Sequence, residues 1–373
     1  MGYVAVKGGA EAIRESNLLE KYQRCRGGRS VCVDDICGNL KKLVDCVMSE
    51  SSLYSPELAA LAIKQAQGDP AEAVFILRAH RSTLPRLYVT TVTDTSGMQV
   101  ERRISSSFKD IPGGQILGAS PDFQHRLLDY DLYEETCGDA RAFQEQYEEE
   151  ILREIGEEKE KQTGEAGRLP RVVDYLRSQN LIPEPVLSDE APHDITTEPL
   201  VFPSTRSIRL QILTRGMTGA VTALGYAKIR GFGISHHPNI GELRVGSLPL
   251  RIASDLSGTR EEYYIGEVEA TEVEIFMMEE QQEENEKSVL GIGLGYGLCF
   301  GQNEAKAIAM SVLEYSMEHP NPRDPTSDEE FVLLHIDAVE SAGFISHLKL
   351  PHYVTFQSKL DRIRNIRKEN SHD

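Results

Sequence analysis

The stretch from Gly266 to Phe276 reads GEVEATEVEIF, and it decides the class of fold. Glu272 and Glu274 alternate in it with Val273 and Ile275. Successive side chains of a β-strand point to opposite faces, so this alternation is typical of a strand with one face buried. The stretch therefore predicts a strand in a sheet that is covered by helices on its apolar side.

The segments on either side of this stretch predict more strands and several helices. Strands are predicted over 87–92, 98–104, 221–229, 242–252, 263–276 and 290–300. Helices are predicted over 122–133, 143–161, 204–215, 303–317, 327–343 and 353–368. Residues 91–373 are accordingly predicted to form a mixed α+β main domain with antiparallel strands.

The first 90 residues carry a different pattern, in which apolar residues recur at helical spacing. Helices are predicted near 10–25, 36–48, 56–67 and 70–82. Pro56 and Pro70 suit a first helical turn, and Ser55 and Asp69 precede them as N-caps. We therefore expect a helical N-terminal domain over 1–90 and an overall α+β class.

The charge of the chain limits the classes of partner. The formal net charge is −19, which argues against binding to nucleic acid or to an anionic membrane. Much of this charge lies near 143–161 and 278–287, which we interpret as solvated acidic insertions. No apolar run reaches the length of a membrane span, and none of the six cysteines forms a C-x-x-C pair. A cytoplasmic chain with reduced thiols is the expectation.

A basic, glycine-rich segment is the first candidate site. Arg102 and Lys109 precede the turn at Gly113 and Gly114, and His125 and Asp129 follow it. Adjacent glycines let backbone N–H groups approach an anion, whose charge the basic side chains balance. The segment therefore predicts phosphate binding, and the alternative is a tight turn beside a surface salt bridge.

A second candidate lies at the start of the helix predicted over 204–215. Arg206 and Arg209 fall in its first turn, where the helix dipole favours an anion. The alternative is an ordinary amphipathic helix.

Histidines supply two more candidates. His347 and His352 stand five residues apart around Pro351, a spacing that suits two zinc ligands, with His335 or a partner as a source of others. The alternative is that they cap turns. His237 and Glu242 form a candidate acid/base pair.

Glycines alternate at 291, 293, 295 and 297 in the last predicted strand. This spacing fits neither nucleotide-loop motif, and it favours a flat strand packed against another backbone.

Several long stretches resemble the PhnI family, a core subunit of the bacterial carbon–phosphorus lyase system. They include ERRISSSFKDIPGGQILG from Glu101, STRSIRLQILTRG from Ser204, HHPNIGELRVG from His236 and DEEFVLLHIDAVESAGFISHLKLPHYVTFQ from Asp328. They run in family order over most of the chain. The segment 25–37 and the acidic insertions depart from the family pattern.

The resemblance implies an activity. A subunit of this family displaces adenine from MgATP with an alkylphosphonate and yields ribose 1-alkylphosphonate 5-triphosphate; alone it resembles a purine nucleosidase that acts on ATP or GTP. The resemblance also implies a soluble complex with PhnG, PhnH, PhnJ and PhnL, and metal binding, with Zn²⁺ as the candidate, at His347 and His352.

The chemistry of this reaction suggests roles for the candidate residues. A cation-like C1′ calls for a carboxylate, for which Asp129 and Glu242 are candidates, and the leaving base calls for a proton, for which His125 and His237 are candidates. The triphosphate calls for Mg²⁺ and basic residues, and the candidates are Arg102, Lys109, Arg206 and Arg209, with the Gly113–Gly114 turn. The competing hypotheses are a non-catalytic architectural subunit that presents phosphorylated intermediates and a nucleosidase unrelated to phosphonates.

Overall fold

The computed structural model describes residues 9–159, 169–184, 192–231, 238–253, 262–282 and 288–371. Within them lies a four-stranded antiparallel sheet in the order β1-β2-β3-β4. The strands are β1 (Gln99–Ile104), β2 (Asn239–Ala253), β3 (Glu262–Gln282) and β4 (Ser288–Phe300). The stretch 266–276 lies in β3, as predicted.

Thirteen α-helices accompany the sheet in the described part of the chain. The first five are α1 (Gly9–Arg24), α2 (Val33–Asn39), α3 (Lys41–Ser51), α4 (Pro56–Gln65) and α5 (Pro70–Arg81). The next four are α6 (Cys137–Lys159), α7 (Val172–Ser178), α8 (Arg206–Arg215) and α9 (Thr218–Gly231). The last four are α10 (Glu304–Glu318), α11 (Glu329–His335), α12 (Ala338–His347) and α13 (Tyr353–Glu369). The α+β class with a helical N-terminal part is confirmed, and no helix of the described ranges has the length and apolarity to span a membrane.

The apolar face of the sheet packs on α10. Val273 and Ile275 of β3 are buried there together with Ala307 and Val312 of α10. The alternating glycines of β4 lie in the same interface: a methyl group on Gly295 would overlap the backbone oxygen of Ser311, and one on Gly297 would overlap that of Ala307. The prediction of a strand packed against another backbone is therefore confirmed, and α10 lies directly on β4.

The opposite face of the sheet buries charge. Glu272 accepts hydrogen bonds from Arg244, from the Tyr296 hydroxyl at 2.8 Å and from Thr95 Oγ1 at 2.7 Å. Glu274 pairs with Arg171, which lies just before α7. The glutamates that alternate with apolar residues are thus buried too, because arginines from β2 and from the α7 segment cover them.

The N-terminal helices form their own core, and their predicted caps are present. Ser55 Oγ accepts a hydrogen bond from Leu58 N, and Asp69 accepts from Ala71 N and Glu72 N. Alanines and β-branched residues of α4 and α5 fill the core with Val44, Val47 and Met48 of α3, while α1 has no buried residue.

Several local predictions were wrong. The helix predicted over 36–48 is interrupted at Leu40, and the one predicted over 327–343 is interrupted before Asp337. The first of the two pieces of 327–343 is α11, which Asp328 caps. Residues 87–92 form only an isolated bridge, Thr90 to Ile252. The strand predicted over 221–229 is helix α9, and most of 122–133 is irregular.

Candidate functional site

A cavity of about 500 Å³, which we call the α10 pocket, opens at the start of α10. It lies between the sheet and helices α3 and α9, which we call the helical layer. Its charged and polar lining consists of Lys42, Arg102, Asp122, Thr218, Gln302, Asn303, Glu304 and Lys306. The remaining lining is Ile104, Pro121, Ile240, Leu243, Ala305 and Ile308. This size and this mixture of apolar wall and few charged groups are usual for a small-molecule site.

The turn before α10 is fixed from two sides. Asp45 of α3 accepts a hydrogen bond from Gln302 N at 3.0 Å, and it lies so close to Gly301 that a Cβ there would overlap its side chain. Thr271 Oγ1 donates to the Gly301 carbonyl at 2.6 Å and accepts from Asn303 N at 2.9 Å. The first turn of α10 is therefore held between the helical layer and β3.

Arg102 brings a buried cation to the pocket. It is 4% exposed and donates to Asp122 Oδ2 at 2.5 Å, to Glu304 Oε2 at 3.3 Å and to the Leu117 carbonyl. Contacts with Ser120 and with Arg102 lower the pKa of the Asp122 carboxyl, so this group is ionised at neutral pH. A guanidinium and two carboxylates thus meet in one cavity, together with the lysines.

Lys306 is a second buried cation in the lining. Its ammonium is fully buried and donates to Ser49 Oγ at 3.1 Å and to the Thr214 carbonyl at 2.6 Å. Both acceptors are neutral, and among the described residues Lys306 forms no ion pair. Burial lowers the pKa of this ammonium, since desolvation disfavours its charged form.

The predicted Gly113–Gly114 turn binds an arginine of its own chain. Both glycines have positive φ, and the carbonyls of Pro112 and Gly114 accept from Arg103 Nη1 at 2.6 and 3.3 Å. Leu169 lies against Gly113. The turn is therefore a structural clamp on Arg103, and neither glycine lines the α10 pocket.

The arginines at the start of α8 are engaged by carboxylates. Arg206 Nε donates to Glu314 Oε1 at 2.6 Å, and Arg209 pairs with Glu318 and Glu329. Thr205 caps α8: its Oγ1 accepts a hydrogen bond from Ile208 N. Neither arginine lines the α10 pocket.

Glu242 serves as the partner of Arg103. It is 2% exposed, and it accepts from Arg103 Nε at 2.5 Å and from Val172 N at 3.0 Å. Both carboxylate oxygens are thus used on the charged face of the sheet, across from the α10 pocket. His237, its predicted acid/base partner, lies outside the described residues.

The other predicted residues of the glycine-rich segment are exposed. Lys109 lies on the loop before the turn, and His125 and Asp129 lie on the irregular segment that continues from Asp122. Asp129 Oδ1 accepts a hydrogen bond from Asp131 N at 3.0 Å. Of the nine predicted catalytic and phosphate-binding residues that the structure describes, Arg102 alone lines the α10 pocket.

His347 and His352 are brought together, as a shared metal requires. Their ring centroids lie 5.3 Å apart; His352 is exposed and His347 is half-buried. Nδ1 of each ring faces a backbone carbonyl, that of Phe344 for His347 and that of Leu350 for His352. A carbonyl only accepts, so Nδ1 carries the proton and Nε2 offers its lone pair outward, which suits metal ligation. The described residues hold no group of three or more His, Cys, Asp or Glu placed to bind a metal, so the pair offers two candidate ligands and no third.

Four charged lining residues were not predicted from the sequence: Lys42, Asp122, Glu304 and Lys306. The start of the helix at 303 was predicted, and the charged residues Glu304 and Lys306 directly after it could have identified this helix start as a candidate site. Lys42 lies in an ordinary amphipathic helix, and only the packing of α3 on the turn before α10 brings it to the pocket.

Fold and pocket together define an α+β protein with a charged small-molecule pocket between a helical layer and an antiparallel sheet. The family described as "Bacterial phosphonate metabolism protein (PhnI)" matches residues 2–370, and the chain belongs to it. The chain is 45% identical over 370 residues to a putative C-P lyase subunit protein, HtxH, of Stutzerimonas stutzeri, covering 98% of this chain and 95% of that protein.

Two more relatives carry a more specific name. The subunit PhnI of alpha-D-ribose 1-methylphosphonate 5-triphosphate synthase is 41% identical in Escherichia coli strain K12, over 99% of both chains. The protein of the same name in Rhizobium meliloti strain 1021 is 40% identical, over 99% of this chain and 95% of that one.

Proposed function

We propose that this chain displaces adenine from MgATP with an alkylphosphonate and so forms ribose 1-alkylphosphonate 5-triphosphate. The names of the Escherichia coli and Rhizobium meliloti relatives support this product. In the reaction a phosphonate oxygen bonds to C1′ as the C1′–N9 bond breaks, and the electron pair of that bond leaves with adenine, which takes up a proton. With water in place of phosphonate, the same displacement is the nucleosidase reaction proposed for the chain alone.

The proposed location of this reaction is the α10 pocket, because Arg102 forms ion pairs with Asp122 and Glu304 there. A transition state with positive charge at C1′ is stabilised by a nearby carboxylate, and an anionic substrate by a guanidinium. Mg²⁺ arrives with ATP, and carboxylate oxygens are ligands that it prefers. His125 and Asp129 remain candidates for proton transfer and charge stabilisation because their segment continues from Asp122.

Zinc is proposed for His347 and His352 through the two outward Nε2 atoms, with the other ligands supplied by substrate, water or a partner. When bound there, it would polarise a phosphoryl oxygen as a Lewis acid. The residues of this chain hold the ring orientations through their Nδ1–H groups.

The same end of the chain suits a subunit interface. Phe344, Ile345, Leu348, Val354 and Phe356 on and between α12 and α13 are each more than 60% exposed. A patch of this kind is usual for protein association. We propose a cytoplasmic complex with PhnG, PhnH, PhnJ and PhnL, and this patch also supports the second candidate function, that of an architectural subunit.

The test is adenine release from MgATP by the purified chain and by the complex, with and without methylphosphonate. Asp122→Asn is the informative variant because its side chain is 46% exposed, so the fold should tolerate it. We expect adenine release to fall at least about tenfold, the loss for about 1.4 kcal/mol of transition-state stabilisation. No adenine release from a folded wild-type complex would sink the enzyme hypothesis and leave the architectural subunit.

A further inference from the structure

Within the α10 pocket, the geometry points to a subsite for the polyphosphate chain of the nucleotide across the N-terminus of α10. Lys42 and Arg102 are its cationic side chains. This inference rests on the proposed function and assigns the part of the substrate that lies there.

The first turn of α10 offers unused donors. The backbone N–H groups of Glu304, Ala305 and Lys306 have no hydrogen-bond acceptor within the helix, and no other described group accepts from them. Asn303, at the N-cap position, donates its side-chain amide to the Phe300 carbonyl and so does not cap the helix. A helix of 15 residues directs its positive dipole end at this point, which favours an anion.

Arg102 is an independent sign of a missing acceptor. Its side chain is more than nine-tenths buried, yet its Nε–H has no hydrogen-bond partner. Glu304 Oε1 lies 2.9 Å from Nε but outside hydrogen-bond geometry. The Nε–H is thus ion-paired but makes no hydrogen bond, and a ligand oxygen in line with it would supply the bond that a buried donor requires.

The charge of the lining agrees with an anion accompanied by Mg²⁺. Lys42 and Arg102 balance Asp122 and Glu304, so the lining carries no net negative charge in a chain of net charge −19. A bare phosphate would meet both carboxylates, whereas a Mg²⁺ polyphosphate presents an oxygen-seeking cation to them and oxygens to Lys42 and Arg102. Ile104, Ile240 and Leu243 leave an apolar wall for the nucleoside.

The experiment titrates inorganic tripolyphosphate with Mg²⁺ into the full-length chain by calorimetry, without a base and without turnover. Lys42→Ala is the test variant, and Lys359→Ala on the exposed face of α13 is the control of equal charge change. We expect Lys42→Ala to weaken binding about fivefold to tenfold, as the loss of one charge-assisted contact does, and the control to bind as the wild type does. Lys42 is exposed, so its removal leaves the fold intact.

Equal affinity in the wild type and Lys42→Ala would overturn the subsite. Methylphosphonate or inorganic phosphate that binds as tightly as tripolyphosphate, with the same loss in Lys42→Ala, would overturn it too, because the pocket would then hold a single phosphoryl group. If tripolyphosphate binding depends on Lys42 but the complex releases no adenine, the proposed reaction is wrong and the subsite stands.

Discussion

Two adjacent arginines of β1 have different tasks because successive strand residues face opposite sides of the sheet. Arg102 faces the start of α10, and Arg103 is fully buried against Glu242 and three backbone carbonyls. In the sequence they read as a single basic pair. Because they lie on opposite faces of the sheet, Arg102 is a candidate ligand-binding group, whereas Arg103 holds the fold together.

Replacing Arg103 should be among the most destabilising changes in the molecule. Arg103→Met leaves Glu242 buried beside Val172 N without its charge partner, and we expect the free energy of unfolding to fall by about 3 to 5 kcal/mol. Denaturant unfolding measures it. The double variant with Glu242→Leu should recover part of the loss, and a single-variant loss below about 0.5 kcal/mol would contradict the buried pair.

Glu274 should make stability depend on pH. Burial raises its pKa to about 7, although Arg171 opposes the shift, so the folded chain keeps a proton that the unfolded chain releases near 4.5. The stabilising contribution is complete below that lower value and is lost as the pH rises through about 7. We expect Glu274→Gln to become steadily more stable relative to the wild type from pH 5 to pH 8. Parallel unfolding curves across that range would refute the shift.

At the scale of elements, the contact of α10 with β4 depends on residues without side chains. Gly297→Ala should lower the free energy of unfolding by about 1 to 3 kcal/mol, because its methyl group overlaps the Ala307 carbonyl of α10. Gly343→Ala is the matched control, since its methyl would meet nothing within 4 Å and α12 gains helix propensity there. Similar thermal midpoints for both variants would speak against the backbone contact.

Elements with a strong period or a capping residue were predicted from the sequence, and those decided by tertiary contact were not. The alternation in β3 and the caps Ser55 and Asp69 act locally. Segment 221–229 is a short apolar run that fits strand or helix, and the close approach of Gly225 to Ala309 makes it helical. Segment 122–133 has helical spacing, yet Leu127 and Leu128 are 83% and 73% exposed and find no surface to cover.

At the scale of the molecule, the α10 pocket draws on segments that lie far apart in the chain. Lys42, Arg102, Thr218 and Lys306 meet only because the helical layer packs on the turn before α10. No spacing rule links them, which is why only Arg102 was predicted. His347 and His352 were predictable as a pair because their separation is local.

Zinc binding should depend on assembly. Two imidazoles are too few for a closed zinc site, so we expect the isolated chain to bind zinc weakly and the complex to retain it after gel filtration. Elemental analysis should show zinc in the wild-type complex and its loss in His347→Gln. Retention of full zinc content in a complex that carries both His347→Gln and His352→Gln would place the metal elsewhere.

The glycine face of β4 has a consequence for how relatives of this chain can diverge. Since α10 rests on the bare backbone of β4, a side chain at Gly295 or Gly297 would displace the helix whose first turn lines the pocket. Lys42 and Asp122, by contrast, are exposed at the rim of the pocket, where a side chain can be exchanged without displacing that helix. New ligand preferences should therefore arise by changes at the rim, with the helix beneath them left in place.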